Sequence, residues 1–162
     1  MKKIYFLVLL SCFAFLIRAQ NNTWINAKQQ LEDLGCTIQF KYPNNLKFEW
    51  IENCLCIGTK TTHNEYSNTM DWGIWLYEAT NYHSLSSNSI KTMFGSNYII
   101  KKDTILLLGQ KVLHTQIRGK NGNKYLETLI LKYKNWILEI NNDKGYSKDF
   151  ELFYKSISIK DR

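Results

Sequence analysis

The chain has 162 residues, 44% of them hydrophobic and 14% aromatic, with one proline and eight glycines. This composition excludes a disordered or collagen-like protein, and the length suits one domain with one core. The formal net charge is +7, but beyond residue 19 the basic residues are scattered and Lys101-Lys102 is their longest run. The sequence therefore gives no case for nucleic-acid binding.

Residues 1–19 have the composition of a secretory signal peptide. Lys2 and Lys3 precede an apolar run over residues 4–17, and Ala19 offers a small side chain for cleavage. The run is too short to span a bilayer, which favours a signal peptide over an anchor.

Two alternatives to cleavage after Ala19 remain open. One is an uncleaved membrane anchor, and the other is lipoprotein processing at Cys12, which the apolar residues after Cys12 disfavour. Cleavage after Ala19 would give a periplasmic or extracellular protein with no stable membrane span. It would lower the formal charge to +4 and leave residues 20–162 as a single α+β domain.

The first part of this domain predicts a helix followed by two strands. Residues 23–34 favour a helix that Gly35 ends, because their apolar side chains fall on one stripe. Residues 36–42 alternate between apolar and polar side chains, as a strand does. A turn at Pro43 leads into a strand of the same parity over residues 46–50.

The middle of the chain predicts a central strand, a helix and further strands. Residues 71–78 are apolar on both faces, which is typical of a strand covered on both sides. Residues 84–95 favour a helix capped by Ser86 or Ser87. Short strands are expected over residues 98–102, 104–108 and 112–118, and Asn121-Gly122 is a strong turn signal.

Residues 124–140 predict a β-hairpin with Lys134-Asn135 as its loop. This register places six apolar side chains on one face, as the pairs Tyr133–Trp136, Leu131–Leu138 and Leu129–Ile140. A slip of one residue would set apolar side chains opposite polar ones, so the buried face fixes the register. A last helix, capped by Ser147, is expected over residues 147–155.

These elements predict an α+β fold in which helices flank an antiparallel sheet. Their order, with the landmarks Tyr42-Pro43, Gly109 and Ser156, resembles the PsbP-like family over roughly residues 35–159. The resemblance implies an α/β/α sandwich that acts by binding partners. It transfers no catalytic, cofactor-binding or metal-binding residue to this chain.

Cys36, Cys54 and Cys56 would remain after cleavage, and an oxidising compartment favours a disulfide among them. If Tyr42 faces Phe48 across a hairpin, Cys36 falls opposite Cys54. The sequence thus predicts a Cys36–Cys54 disulfide, with Cys56 as the competing partner of Cys36. A Cys54–Cys56 bond is disfavoured because cysteines two residues apart on an extended strand hold their sulfurs in poor geometry for a disulfide. Three free buried thiols are a further alternative.

No catalytic or metal site emerges from the remaining polar residues. The two neighbouring cysteines and His63 match no zinc motif, and a C-x-x-C redox motif is absent. His83 and His114 are isolated in the sequence, and Asp71 and Glu78 need a shared cleft before they could act as acid and base. We therefore predict no catalytic residue, no metal and no cofactor.

The leading hypothesis is a non-enzymatic exported module that binds an envelope or secreted protein, or a small apolar ligand. An unrecognised hydrolase is the first alternative, which a deep pocket holding His114 or His83 beside a carboxylate would favour. An immunity-type inhibitor of a secreted toxin is the second.

Overall fold

The computed structural model describes residues 23–58, 70–120, 125–145 and 148–161. These residues form ten strands and two helices: β1 (Trp24–Leu31), β2 (Cys36–Pro43), β3 (Lys47–Ile51), β4 (Cys54–Gly58), β5 (Met70–Glu78), α1 (Ser87–Phe94), β6 (Tyr98–Leu107), β7 (Gln110–Gly119), β8 (Tyr125–Tyr133), β9 (Trp136–Asn142), α2 (Lys148–Ser156) and β10 (Ser158–Asp161). The signal-peptide prediction, including Cys12, lies outside the described residues, as do His63, Asn121-Gly122 and Ser147.

The strands form two antiparallel sheets. One has seven strands in the order β3-β4-β5-β9-β8-β7-β6, and the other has three in the order β1-β2-β10. The small sheet and α2 cover the apolar inner face of the large sheet, and the core lies between them. The predicted α+β class with antiparallel sheets is therefore confirmed.

The hairpin β8–β9 confirms the register predicted by parity. Tyr133 pairs with Trp136, and the pairing continues inward through buried leucine and isoleucine side chains. Lys134 in the loop takes a φ of 53°, a left-handed conformation that is uncommon outside glycine, asparagine and aspartate. Its Nζ lies 2.7 Å from Asp161 Oδ1 on β10, so the loop is tied to the small sheet.

The helix predicted over residues 23–34 is wrong, because residues 24–31 form strand β1. Ala27 pairs with Phe40, and Leu31 pairs with Cys36. Residues four apart lie on one face of a helix and also on one face of a strand, so the apolar spacing did not distinguish the two structures. Pairing with β2 decides in favour of the strand.

The predicted pairing of residues 36–42 with residues 46–50 is also wrong. β2 pairs with β1 and β10, whereas β3 pairs with β4 in the other sheet. The ring of Phe48 still lies 5.5 Å from those of Phe40 and Tyr42, but it does so across the core. The shared parity of the two segments reflects a common core and not a common hairpin.

The remaining predicted elements agree with the structure apart from one merger, but β4 and β10 were not predicted as separate strands. β5 is an inner strand, Ser86 caps α1 by accepting a hydrogen bond from Ser89 N, and α2 closes the fold. The strands expected over residues 98–102 and 104–108 form the single ten-residue strand β6. No helix within the described residues is long and apolar enough to cross a membrane.

We predict that Phe153→Ala lowers the free energy of unfolding by about 3–5 kcal/mol, because the ring of Phe153 is fully buried. It packs against Trp72 of the large sheet and Phe40 of the small sheet, so its loss opens a cavity between the layers. Leu152→Ala is the control, since its side chain is 54% exposed on the same helix and should change stability by less than about 0.5 kcal/mol. Urea unfolding measures both, and equal losses would contradict the placement of Phe153.

Candidate functional site

Strand β6 is an edge of the large sheet among the described residues. It spans ten residues, about twice the mean strand length, and pairs with β7 on one side only. Leu106 is 71% exposed, Ile99 57% and Ile100 38%, and Leu113 on β7 is exposed beside them. An edge strand presents a row of backbone N–H and C=O groups, here flanked by apolar side chains.

The β6–β7 hairpin is basic. Residues 98–120 contain five basic residues, of which Lys101, Lys102, Lys111 and Arg118 are exposed within the two strands, and one carboxylate, Asp103. Lys101 Nζ lies 3.5 Å from Asp103 Oδ2, so part of the positive charge is compensated locally. The exposed edge therefore combines apolar ends with a positively charged middle.

A buried polar cluster lies on the inner side of the same hairpin. His114 Nε2 lies 2.7 Å from Glu127 Oε1, and Asp103 Oδ1 lies 2.7 Å from the other ring nitrogen, Nδ1. The second contact brings the Asp103 carboxylate within ion-pair distance of the ring. His114 is 7% exposed and Glu127 only 3%, so this pair is shielded from water.

Glu127 is the centre of this cluster. Besides its contact with His114, it accepts hydrogen bonds from Gln116 Nε2 at 3.2 Å, Tyr125 OH at 2.8 Å and Asn142 Nδ2 at 3.4 Å. These donors come from strands β7, β8 and β9, which the antiparallel register brings side by side. A buried carboxylate is tolerated only when it is satisfied in this way.

The cluster shifts the ionisation of its two central groups. The hydrogen bond with Glu127 is the main reason that the pKa of His114 lies above its ordinary value of 6.5, with Asp103 adding to the effect against burial. Burial alone would raise the pKa of Glu127, but the hydrogen bonds from His114, Tyr125 and Gln116 outweigh it and hold that pKa below 4.5. Both shifts favour the charged forms, so the fold stabilises His114 and Glu127 as an imidazolium–carboxylate pair.

A groove of about 410 Å³ lies on the small sheet, far in sequence from β6. Six of its eight lining residues carry polar side chains, including Lys28, Gln39, Lys41 and Ser156, while Ala27 and Phe40 contribute apolar surface. So many polar groups are unusual for a pocket that takes a small apolar ligand.

The structure places the three described cysteines in two locations, and no disulfide joins them. Cys36 lies on β2 and packs in the core, opposite Leu31. Cys54 and Cys56 alternate along β4 with the core residues Leu55 and Ile57. They therefore lie on the face of the large sheet that points away from the core. The strand pairing that motivated the Cys36–Cys54 disulfide, with Cys56 as competitor, is therefore wrong. The disulfide itself stays a prediction, now without that support.

The other candidate residues that the structure describes do not form a second site. His83 is exposed in the segment before α1. Asp71 and Glu78 lie at opposite ends of β5 and, being seven residues apart, on opposite faces, so they share no cleft. Among the residues that the structure describes, no three His, Cys, Asp or Glu side chains come together as a metal-binding group.

Sequence reasoning did not find Glu127. The available signal was its parity: Glu127 shares the strand face of Leu129 and Leu131, which places a charge on an apolar face. Such a charge requires partners, and the preceding strand carries three ionisable side chains, Lys111, His114 and Arg118.

Comparison with known proteins shows the fold alone. No family model and no curated protein sequence matches the chain. The solution structure of cyanobacterial PsbP (CyanoP) from Synechocystis sp. PCC 6803 is similar, with a TM-score of 0.52 and 10% sequence identity. The match covers 88% of this chain and 96% of that one. The chain has a PsbP-like fold. The fold expected from the order of elements is thereby confirmed.

We predict that the stability of the wild-type protein falls as the pH rises above about 6.5. A histidine whose pKa is raised by folding stabilises the folded state fully below its ordinary pKa and loses that effect as the pH passes the raised value. Glu127, whose pKa is lowered, loses its contribution only as the pH falls below 4.5.

Urea unfolding between pH 5 and 9 checks this. Glu127→Gln removes the charge that raises the pKa of His114, so the loss of stability on the alkaline side should be smaller. His83→Gln, at an exposed histidine, should retain the wild-type profile. Superimposable profiles for wild type and Glu127→Gln would contradict the ion pair.

Proposed function

We propose that the protein is an exported, non-enzymatic binding module that accepts an extended, acidic segment of a partner protein along strand β6. The observation that carries the proposal is the ten-residue edge of β6, which no second strand among the described residues pairs with and which exposes apolar side chains. Strand addition supplies backbone hydrogen bonds, and the side chains of the edge supply specificity.

The charge of the edge supports an acidic partner. Lys102 is exposed in the middle of β6, and Lys111 lies opposite Leu106 on β7. Two identical β6 edges would bring lysines together, which disfavours self-association and protects the edge against aggregation. A segment with acidic residues between apolar ones is complementary.

The geometry of His114 argues against the hydrolase alternative. A histidine that acts as general base directs one ring nitrogen at the nucleophile or water. Both ring nitrogens of His114 face carboxylates within 2.7 Å, and the ring is buried. The cluster instead fastens β6 and β8 to β7, which keeps the edge rigid for binding.

Export rests on the N-terminal sequence. Residues 1–19 have the charged start, apolar run and small cleavage residue of a signal peptide. N-terminal sequencing of the protein from its native host should therefore begin at Gln20. A lipidated start at Cys12 would make it a lipoprotein, and a retained Met1 would contradict export by cleavage.

Partner capture from envelope and secreted fractions, read by mass spectrometry, tests the binding edge. Leu106→Asp and Lys102→Glu should each weaken capture by roughly tenfold or more, because they remove an apolar anchor and reverse a charge. Lys102 is chosen over Lys101 because Lys101 contacts Asp103.

Matched controls place the same changes elsewhere. Leu152→Asp alters an exposed leucine on α2, and Lys28→Glu alters an exposed lysine of the groove. Both should bind like the wild type. Hydrogen exchange on the complex should show new protection of the β6 amides. Loss of capture by Lys28→Glu with retention by Leu106→Asp, or no protection in β6, would contradict the proposal.

A further inference from the structure

The pair Cys54 and Cys56 lies side by side on β4. The two residues share the strand face that points away from the core, while Leu55 between them points into it. Their Sγ atoms are 2.6 Å apart, so the sulfurs touch without any movement of the backbone. A disulfide between them would shorten this distance to about 2.05 Å.

The neighbouring strands give the two thiols different surroundings. Cys54 is buried and lies opposite Trp75 on β5, whereas Cys56 is partly exposed and lies opposite Gly73, which has no side chain. On the other side Cys56 faces Glu49 of β3. Cys56 is therefore the thiol that a reagent from solvent meets first.

The contact between the sulfurs also makes the thiols chemically unequal. The hydrogen bond with Cys54 lowers the pKa of Cys56, although burial opposes this. The pKa of Cys54 is raised, first by its hydrogen bond with Cys56 and then by burial. The thiolate is the nucleophile in disulfide exchange, so the accessible member of the pair is also the activated one.

We propose that Cys54 and Cys56 form a redox-active dithiol that is converted to an intrastrand disulfide by exchange with a small-molecule disulfide. In the first step the Cys56 thiolate attacks one sulfur of that disulfide, forms a mixed disulfide and releases the other half as a thiolate. Cys54 then gives its proton to the solvent and attacks the Cys56 sulfur. This step forms the Cys54–Cys56 bond and releases the second half as a thiolate.

The exchange is balanced because the two protein thiols are oxidised while one small-molecule disulfide is reduced to two thiols. Cys36 takes no part, since it lies in the core on the other side of the large sheet. The inference is independent of the proposed partner edge, because it involves β4 and not β6.

Tryptic mapping of the full chain tests the inference with oxidised glutathione as the probe. The enzyme leaves Cys54 and Cys56 together in the peptide of residues 48–60, and Cys36 in the peptide of residues 29–41. The reduced, folded protein is exposed to the probe, quenched in acid and alkylated after denaturation. The peptide of residues 48–60 should lose two hydrogens and carry no alkyl group, while that of residues 29–41 is alkylated.

Substitutions distinguish the attacking thiol, Cys56, from the resolving thiol, Cys54. Cys54→Ser should retain one glutathione on Cys56, because the resolving thiol is missing, whereas Cys56→Ser should retain far less. Cys36→Ala is the control and should form the same intrapeptide disulfide as the wild type. The wild-type digest tests the bond without any substitution. A link between Cys36 and residues 48–60, or full alkylation of both cysteines after exposure, would overturn the inference.

Discussion

Burial of Phe153 is the contact on which the layered arrangement depends. Its ring stacks on Trp72 of the large sheet at 5.1 Å and meets the edge of Phe40 of the small sheet at 6.1 Å. One side chain on α2 thus joins three elements that are distant in the chain. The inner face of the large sheet is apolar and must be covered, and the aromatic contacts determine how the small sheet and α2 cover it.

Near β6 the interior is no longer entirely apolar, because the ion pair of His114 and Glu127 lies there. Replacing a buried ion pair by apolar side chains is often neutral or stabilising, so such a pair is weak support for stability as such. The position of the ion pair indicates a role in holding strands together. His114 on β7 contacts Asp103 on β6 and Glu127 on β8, so these charges add side-chain contacts to the backbone pairing of the last two strand pairs.

Structural features that depend on residues close together in the chain could be predicted from the sequence. Features that depend on pairing between distant segments could not. Hairpin β8–β9 was predictable because its two strands share an apolar face and a short loop. Strand β1 was not, because Ala27 and Leu31 fit a helix equally well until β2 pairs with them. The polar cluster was missed for the same reason. His114 appears isolated in the sequence, because its partners Asp103 and Glu127 are eleven and thirteen residues away.

The two proposed surfaces are far enough apart to act independently. β4 and β6 are separated by β5, β9, β8 and β7, which places them roughly 24 Å apart at about 4.8 Å per strand. Changes that far apart without shared partners usually have additive effects. Because Cys54 and Cys56 also point away from the core, we expect oxidation on β4 to leave the contacts of Phe153 and Glu127 unchanged. A redox dependence of partner binding would therefore require a contact on β4 itself, which makes the two inferences separable by experiment.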